Sequence, residues 1–303
     1  MQQNTGKVAV IGLGSMGLGI AKTLVRNGWD VAGCDLSASV REHLIEAGGA
    51  AYDVPDAAAN GRSVVLSVVV NARQTETILF GENGVADGMA PGSVFVSCAT
   101  MLPDAVRALA ARLEERGVHY LDAPISGGAK KAASGDLSVM ASGTAEAFEC
   151  AGPVLAVIAD KVHSLGDRPG AGASVKMINQ LLAGVHIAAA CEAMALAAKM
   201  ELDLEAVYKV IRGSAGNSWM FENRVPHILE GDYTPLSAVE IFVKDLGIVQ
   251  DIARTNHFPA PLSAAALQMY LAAAGAGMGK DDDASLARVY AQLSGAQLPG
   301  DDT

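Results

Sequence analysis

Gly12-Leu13-Gly14-Ser15-Met16-Gly17 has G-x-G-x-x-G spacing, follows the apolar run Val8 to Ile11, and precedes Leu18, Ala21, Leu24 and Val25 at helical spacing. Strand, glycine turn and helix in that order make a cradle for a pyrophosphate. Gly12 permits the tight turn, Gly14 lets the backbone come close to phosphate, Gly17 allows close helix packing, and the helix start offers N–H groups to the anion. Asp35 closes the next apolar run, Asp30 to Cys34. There a carboxylate accepts hydrogen bonds from the ribose hydroxyls and repels a 2′-phosphate, so NAD is the expected cofactor in preference to NADP. Asp35-Leu36-Ser37 could also cap the following helix, a task that suits Ser37 better.

Asp122-Ala123-Pro124-Ile125-Ser126-Gly127-Gly128 follows a third apolar segment, His119 to Leu121. A Ser-Gly-Gly turn at the carboxyl edge of an open sheet can aim successive N–H groups and a hydroxyl at a carboxylate, or it can be a plain loop. Gly170 to Gln180 then sets Lys176 near the start of a long apolar helix, with Asn179 and Gln180 at i+3 and i+4 on the same face. A lysine in an apolar segment near the positive helix end is expected to lose solvation and to shed its proton more readily, as acid/base chemistry requires. The alternative is a lysine that snorkels to solvent. Lys244-Asp245 lies on a later helix and by itself reads as a solvated charge pair.

Alternation of apolar runs with helical stretches indicates the scaffold that positions these residues. Strand-like runs occupy Val8 to Ile11, Asp30 to Cys34, Ser63 to Val70, Ser93 to Cys98 and His119 to Leu121, with Pro103 to Arg116 among the helical stretches between them. This pattern predicts an α/β fold with a doubly wound, mostly parallel sheet of Rossmann type. A further strand pair, Leu137 to Ser142 and Lys161 to Leu165, flanks a helix over Glu146 to Ile158. Beyond that, a long Ala/Leu/Met-rich helix over Ala173 to Met200 leads into helical stretches separated by loops at Gly213 to Ser218, Gly231 to Pro235 and His257 to Pro261. The expected division is a NAD-binding domain over residues 1–165 and an all-helical domain over 166–303, joined by the long helix. The polar tail from Ser294 is expected to fray.

The bulk composition agrees with an enzyme of this kind. Half of the 303 residues are hydrophobic and 18% are charged, enough for buried cores and inconsistent with a disordered chain. A formal net charge of −11 with no basic run argues against nucleic acid as a partner. Cys34, Cys98, Cys150 and Cys191 show no C-x-x-C spacing, so neither a metal site nor a disulfide framework is expected, and a reducing cytoplasm fits. Met1 to Lys7 is polar and contains no signal-type apolar region. Ile178 to Ala198 is interrupted by Asn179, His186 and Glu192, which favours a buried helix over a membrane span. The apolar balance of the C-terminal helices predicts a homodimer or homotetramer.

Taken together, GLGSMGLGIA, DAPISGG with the following Gly135-Asp136-Leu137, GAGASVKMINQ and the late VKDLG resemble the β-hydroxyacid dehydrogenase family, the 3-hydroxyisobutyrate dehydrogenase-like enzymes, over nearly the whole chain. The resemblance implies NAD-dependent oxidation of a small hydroxy acid. Lys176 would be the general acid/base. Ser126, Gly127 and Gly128 would bind the substrate carboxylate or a neighbouring hydroxyl. Asn179, Gln180 and Lys244 would orient substrate or close the site, with Asp245 in support. Thr100 matches a cofactor-contacting threonine, Lys244 stands near the cofactor as well, and Val69-Val70-Asn71 would pass under the adenosine half of NAD. The first motif, its CDLS continuation and KMINQLLAGVHIAAACEAMALAAK point within the family to a four-carbon sugar acid, L-threonate, oxidised at its 2-hydroxyl. Alternatives are 3-hydroxyisobutyrate, or D-glycerate and tartronate semialdehyde. A non-catalytic dinucleotide-binding module is a further reading, against which Lys176 speaks, because relatives that lose the chemistry generally replace that lysine.

Overall fold

A computed structural model describes residues 6–300 of the chain. Most of the polar lead Met1 to Lys7 and the last residues of the tail therefore lie outside the described residues. The first unit, Met1–Lys176, is sheet-bearing, and the second is Met177–Thr303. In the first, β1 (Lys7–Ile11), α1 (Gly17–Arg26), β2 (Asp30–Cys34), α2 (Ala38–Glu46), β3 (Ala50–Tyr52), α3 (Pro55–Ala59), β4 (Val64–Ser67), α4 (Ala72–Phe80), β5 (Val94–Ser97), α5 (Pro103–Glu114) and β6 (His119–Asp122) alternate along the chain. The six strands form one parallel sheet in the order β3-β2-β1-β4-β5-β6. This is the doubly wound Rossmann arrangement. Both faces are covered: Val8 and Val10 enter one apolar core while Ala9 and Ile11 enter the other, and Val94, Phe95 and Val96 alternate in the same way. Burial on both sides explains why these strands read as continuous apolar runs.

After β6 come β7 (Ile125–Ser126), α6 (Gly128–Ser134), β8 (Leu137–Ala141), α7 (Ala145–Ile158) and β9 (Ala159–Ser164). The last three strands form a separate small sheet, with β7 antiparallel to β8 and β8 parallel to β9. Helix α6, which begins at the second glycine of the Ser-Gly-Gly turn, is tied to α1: Thr23 Oγ1 donates to the Ala132 and Ala133 carbonyls at 3.1 and 3.0 Å, and the Arg26 guanidinium also reaches Ala133 O. Gly19 allows this approach, since a Cβ there would stand 3.0 Å from Ala133 N.

Helix α8 (Ala171–Lys199) follows, then α9 (Leu204–Arg212), α10 (Trp219–Glu230), α11 (Val239–Thr255), α12 (Pro261–Ala273) and α13 (Leu286–Ser294). By packing, the two units divide inside α8, between Lys176 and Met177, the first residues of α8 being bonded within the sheet-bearing unit. By length and composition α8 could cross a membrane, but half of its most apolar window is buried in the protein, and Lys176 and Gln180 are among its buried residues. It is a core helix.

The helical unit packs Ile187, Cys191, Met194, Phe242, Leu246 and Tyr270 into its own core. Within it Arg224 grips the fully buried Asp283 with Nε to Oδ1 at 2.5 Å and Nη2 to Oδ2 at 3.2 Å. The neighbouring Asp282 is also fully buried, and its Oδ2 accepts the Leu236 and Ser237 N–H groups, strapping the loop that leads into α11. The polar tail does not fray as far as it is described. Gly295 turns left-handed at φ +68° to end α13, and Ala296 and Leu298 then supply buried side chains to the core.

Candidate active site

The glycine loop behaves as its spacing requires. Gly12 takes φ +90°, and a Cβ on Gly17 would lie 1.8 Å from the Gly12 carbonyl, so α1 can sit this close only without one. A Cβ on Gly14 meets nothing within 4 Å. That open space, beside the first-turn N–H groups of α1, fits a dinucleotide pyrophosphate. Asp35, half-buried at the end of β2, uses both carboxylate oxygens: Oδ2 accepts Leu13 N at 2.8 Å and Oδ1 accepts Ser37 N at 2.9 Å. It therefore clamps the glycine loop, a link between β2 and the loop that sequence reasoning missed. Ser37 occupies the N-cap position of α2 as expected, but its hydroxyl makes no capping bond and instead meets Ser39 Oγ at 3.0 Å. Arg41 Nη1 donates to the Asp35 and Leu36 carbonyls at 2.7 and 3.0 Å, which holds this turn from the other side.

The strand expected over Ser63 to Val70 ends at Ser67. Val69-Val70-Asn71 is a loop, because Asn71 caps α4 by accepting Gln74 N at 2.9 Å while Gln74 Oε1 accepts Val70 N at 2.9 Å. The segment still runs beside the cradle: Val69 Cγ1 lies 3.0 Å from where a Gly12 Cβ would be. Thr100, half-buried, stands in the loop after β5 at the same carboxyl edge of the sheet. Cys98 in that segment is no nucleophile, since burial pushes its thiol up to about 12.

At the far side of the sheet, Asp122 ends β6 in register with Ser97 of β5. The Ser-Gly-Gly turn follows. Ser126 belongs to β7, Gly127 takes φ +138° and Gly128 φ +75°, conformations that leave little choice but glycine. A Cβ on Gly128 meets nothing within 4 Å, so the turn has open space above it. Lys176 is only 7% exposed, and its Nζ donates to Ile125 O at 2.9 Å, one residue before the turn. It does not snorkel. Its helix is held from below by Asp122, whose Oδ2 accepts Gly170 N and Ala173 N at 2.9 Å each and Ser142 Oγ at 3.2 Å. Burial pushes the Asp122 carboxyl up, and these donors pull it partly back. Sequence reasoning quoted Asp122 within its motif and gave it no role.

In the helical unit, four of the named residues form one polar chain. Asn179 Nδ2 donates to Gln180 Oε1 at 2.9 Å, Gln180 Nε2 donates to Asp245 Oδ2 at 2.6 Å, and Lys244 Nζ pairs with Asp245 Oδ1 at 2.7 Å. Asp245 is 1% exposed, so the expected solvated pair is instead a buried acid with a half-buried lysine. Gln180 is likewise buried, whereas Asn179 is half-buried.

Comparison with known proteins places the whole chain among dehydrogenases. Residues 7–166 match the NAD binding domain of 6-phosphogluconate dehydrogenase, and residues 170–290 match the family described as NAD-binding of NADP-dependent 3-hydroxyisobutyrate dehydrogenase. An L-threonate dehydrogenase of Cupriavidus necator is 55% identical over 293 residues, covering 97% of this chain and 98% of its own. The L-threonate dehydrogenase of Escherichia coli K12 is 49% identical, covering 97% and 96%. A crystal structure described as 3-hydroxyisobutyrate dehydrogenase from Salmonella typhimurium superposes with a TM-score of 0.90 at 46% identity, covering 94% of this chain and 99% of that one.

Proposed function

This chain belongs to the 3-hydroxyisobutyrate dehydrogenase-like family of NAD(P)-binding dehydrogenases, and from that premise we propose that it oxidises L-threonate at the 2-hydroxyl to the 2-oxo acid, 2-dehydro-L-erythronate, with NAD as acceptor. One observation carries the reading: a lysine amine buried against the residue that precedes the Ser-Gly-Gly turn. Relatives named L-threonate dehydrogenase at 47 to 55% identity supply the substrate.

When bound, NAD supplies the hydride acceptor. The rest falls to the chain. The N–H groups of Gly127 and Gly128 and the Ser126 hydroxyl hold the substrate carboxylate or its neighbouring hydroxyl. Lys176, steadied by Ile125 O, accepts the 2-hydroxyl proton at Nζ. Asn179 or Gln180 polarises the forming carbonyl, Lys244 orients the substrate, and Asp245 fixes both Gln180 and Lys244. Gly12 to Gly17, Val69 to Asn71 and Thr100 hold the cofactor, with Lys244 assisting.

Initial rates on L-threonate, D-glycerate and 3-hydroxyisobutyrate, measured side by side with NAD, test the assignment. L-Threonate should give the highest kcat/KM. Preference for 3-hydroxyisobutyrate would transfer the chain to the activity named for the Salmonella structure. Tight NAD binding without turnover of any hydroxy acid would leave only a binding module.

Asp35 governs the choice of dinucleotide in this reading. Asp35→Ala combined with Leu36→Arg removes the carboxylate and adds a cation at a fully exposed neighbour. Loss of one hydrogen bond to a charged acceptor costs about 1.5 to 3 kcal/mol, so NAD kcat/KM should fall roughly ten- to hundredfold while NADP kcat/KM rises. Unchanged NAD preference in paired kinetics would contradict the role.

We also assign a homodimeric or homotetrameric state. Ile178, Leu182, Leu196 and Met200 leave an exposed apolar stripe along α8, suited to a second copy of the chain. Light scattering on the purified protein reads the number of chains. The four cysteines are free thiols, in keeping with a cytoplasmic enzyme.

A further inference from the structure

We propose that Asp122, acting with Ser142, is a positioning residue that sets where the Lys176 amine stands relative to the Ser-Gly-Gly turn. The inference rests on the reading of Lys176 as the proton acceptor. Asp122 and Ser142 first bind each other through the backbone, Asp122 N to Ser142 O at 3.0 Å and Ser142 N to Asp122 O at 2.8 Å. Their side chains then take the start of α8 together. Asp122 Oδ2 accepts Gly170 N and Ala173 N, and Ser142 Oγ accepts Gly172 N at 3.0 Å while donating to Asp122 Oδ2. Helices are usually capped by a residue of their own sequence. Here the cap comes from β6 and from the end of β8.

Gly172 shows how tightly the helix is drawn down, because a Cβ there would lie 2.3 Å from Met140 O and 3.0 Å from Asp122 Oδ2. Three residues past Asp122, the same segment supplies Ile125 O to the Lys176 amine. The lysine is thus held at both ends, its helix by the Asp122 side chain and its tip by a neighbouring carbonyl. A helix is stiff, and a shift of about 1 Å at its start is carried to Lys176, a displacement that can cost on the order of 100-fold in rate.

The test uses the full-length protein with Asp122→Ala, Asp122→Asn and Ser142→Ala, each alone and with Lys176→Ala. Readouts are kcat and KM, NADH affinity by fluorescence titration, and the rate at which an amine-acylating reagent labels Lys176, followed by peptide mass. Asp122→Ala should lower kcat about 10- to 100-fold, leave KM and NADH affinity within about twofold, and change Lys176 labelling. Ser142→Ala should act in the same direction and more weakly. Asp122→Asn retains an oxygen that accepts the helix N–H groups and should recover most of the rate. In the Lys176→Ala background the Asp122 substitution should cost less than about twofold, because a residue acting only through Lys176 has nothing left to act on.

An unchanged kcat, or an equal loss in both backgrounds, would overturn the inference. If Asp122→Ala does not fold, an unaltered rate and labelling in Ser142→Ala overturn it instead. Should Lys176→Ala alone keep full turnover, the acid/base reading fails, while altered labelling would still report the positioning.

Discussion

Replacing Lys176 by alanine is expected to lower turnover by about 100-fold or more while NAD affinity stays within about twofold of the parent. General acid/base groups contribute roughly 100- to 10,000-fold, and Lys176 is the proton acceptor of the proposed mechanism, its amine bonded to Ile125 O just before the Ser-Gly-Gly turn. Cofactor binding should survive because the pyrophosphate cradle is built by Gly12 to Gly17 and Asp35, whereas the Lys176 amine is bonded to Ile125 O. Lys176→Arg sharpens the result. A guanidinium keeps the positive charge and can still donate to Ile125 O, but it does not give up its proton in the working range. If the lysine serves as a base, arginine should be as poor as alanine. Recovery of rate by arginine would instead assign Lys176 an electrostatic part. Isothermal titration with NAD and steady-state rates decide these points, and near-normal turnover in the alanine variant removes the assignment.

The largest expected effect on stability lies elsewhere, at the ion pair in the helical unit. Arg224→Leu strips the fully buried Asp283 of both its guanidinium bonds. Breaking one side of a buried pair costs about 3 to 5 kcal/mol, since the remaining charge loses its opposite charge while still out of water. Burial already pushes the Asp283 carboxyl up to about 6, with Arg224 pulling it back, and removal of the arginine pushes it higher. The sign of the pH dependence follows. Where the folded-state pKa lies above the unfolded value of 3.8, the native state holds the proton more tightly, so stability falls as pH rises through that interval. The loss in Arg224→Leu should therefore be greater at pH 7 than at pH 5. Pairing it with Asp283→Leu should restore much of the stability, because no charge is then left stranded. Urea unfolding at the two pH values measures both. A loss under about 1 kcal/mol at pH 7 would show that water reaches Asp283.

Much of the architecture was legible because its signals are local. β2 falls on Asp30 to Cys34 as expected, since a five-residue apolar run followed by an acid leaves few alternatives. α8 and the loops that follow the long helix could be placed from helical spacing and glycine. Where the readings diverged, bonds between distant residues decided. Val68 to Val70 looks like a strand by composition, but Asn71 begins a helix there and withdraws the segment from the ladder. β7 has only two residues and exists through pairing with β8, so no periodicity announces it. Asp122 could not be recognised as a helix cap, because its partners at Gly170 and Ala173 are 48 and 51 residues away. Lys176 itself could be picked out, as a cation near the start of an apolar helix, whereas the carbonyl that receives it could not.

The clamp between Asp35 and Leu13 also constrains anyone who would re-engineer this enzyme for a phosphorylated dinucleotide. Deleting the acid to clear the way for the extra phosphate also unties the glycine loop, so the gain in use of the phosphorylated dinucleotide comes with a looser loop. A short neutral acceptor at position 35, asparagine or serine for instance, would keep that tie while a cation is recruited from the exposed side of the turn.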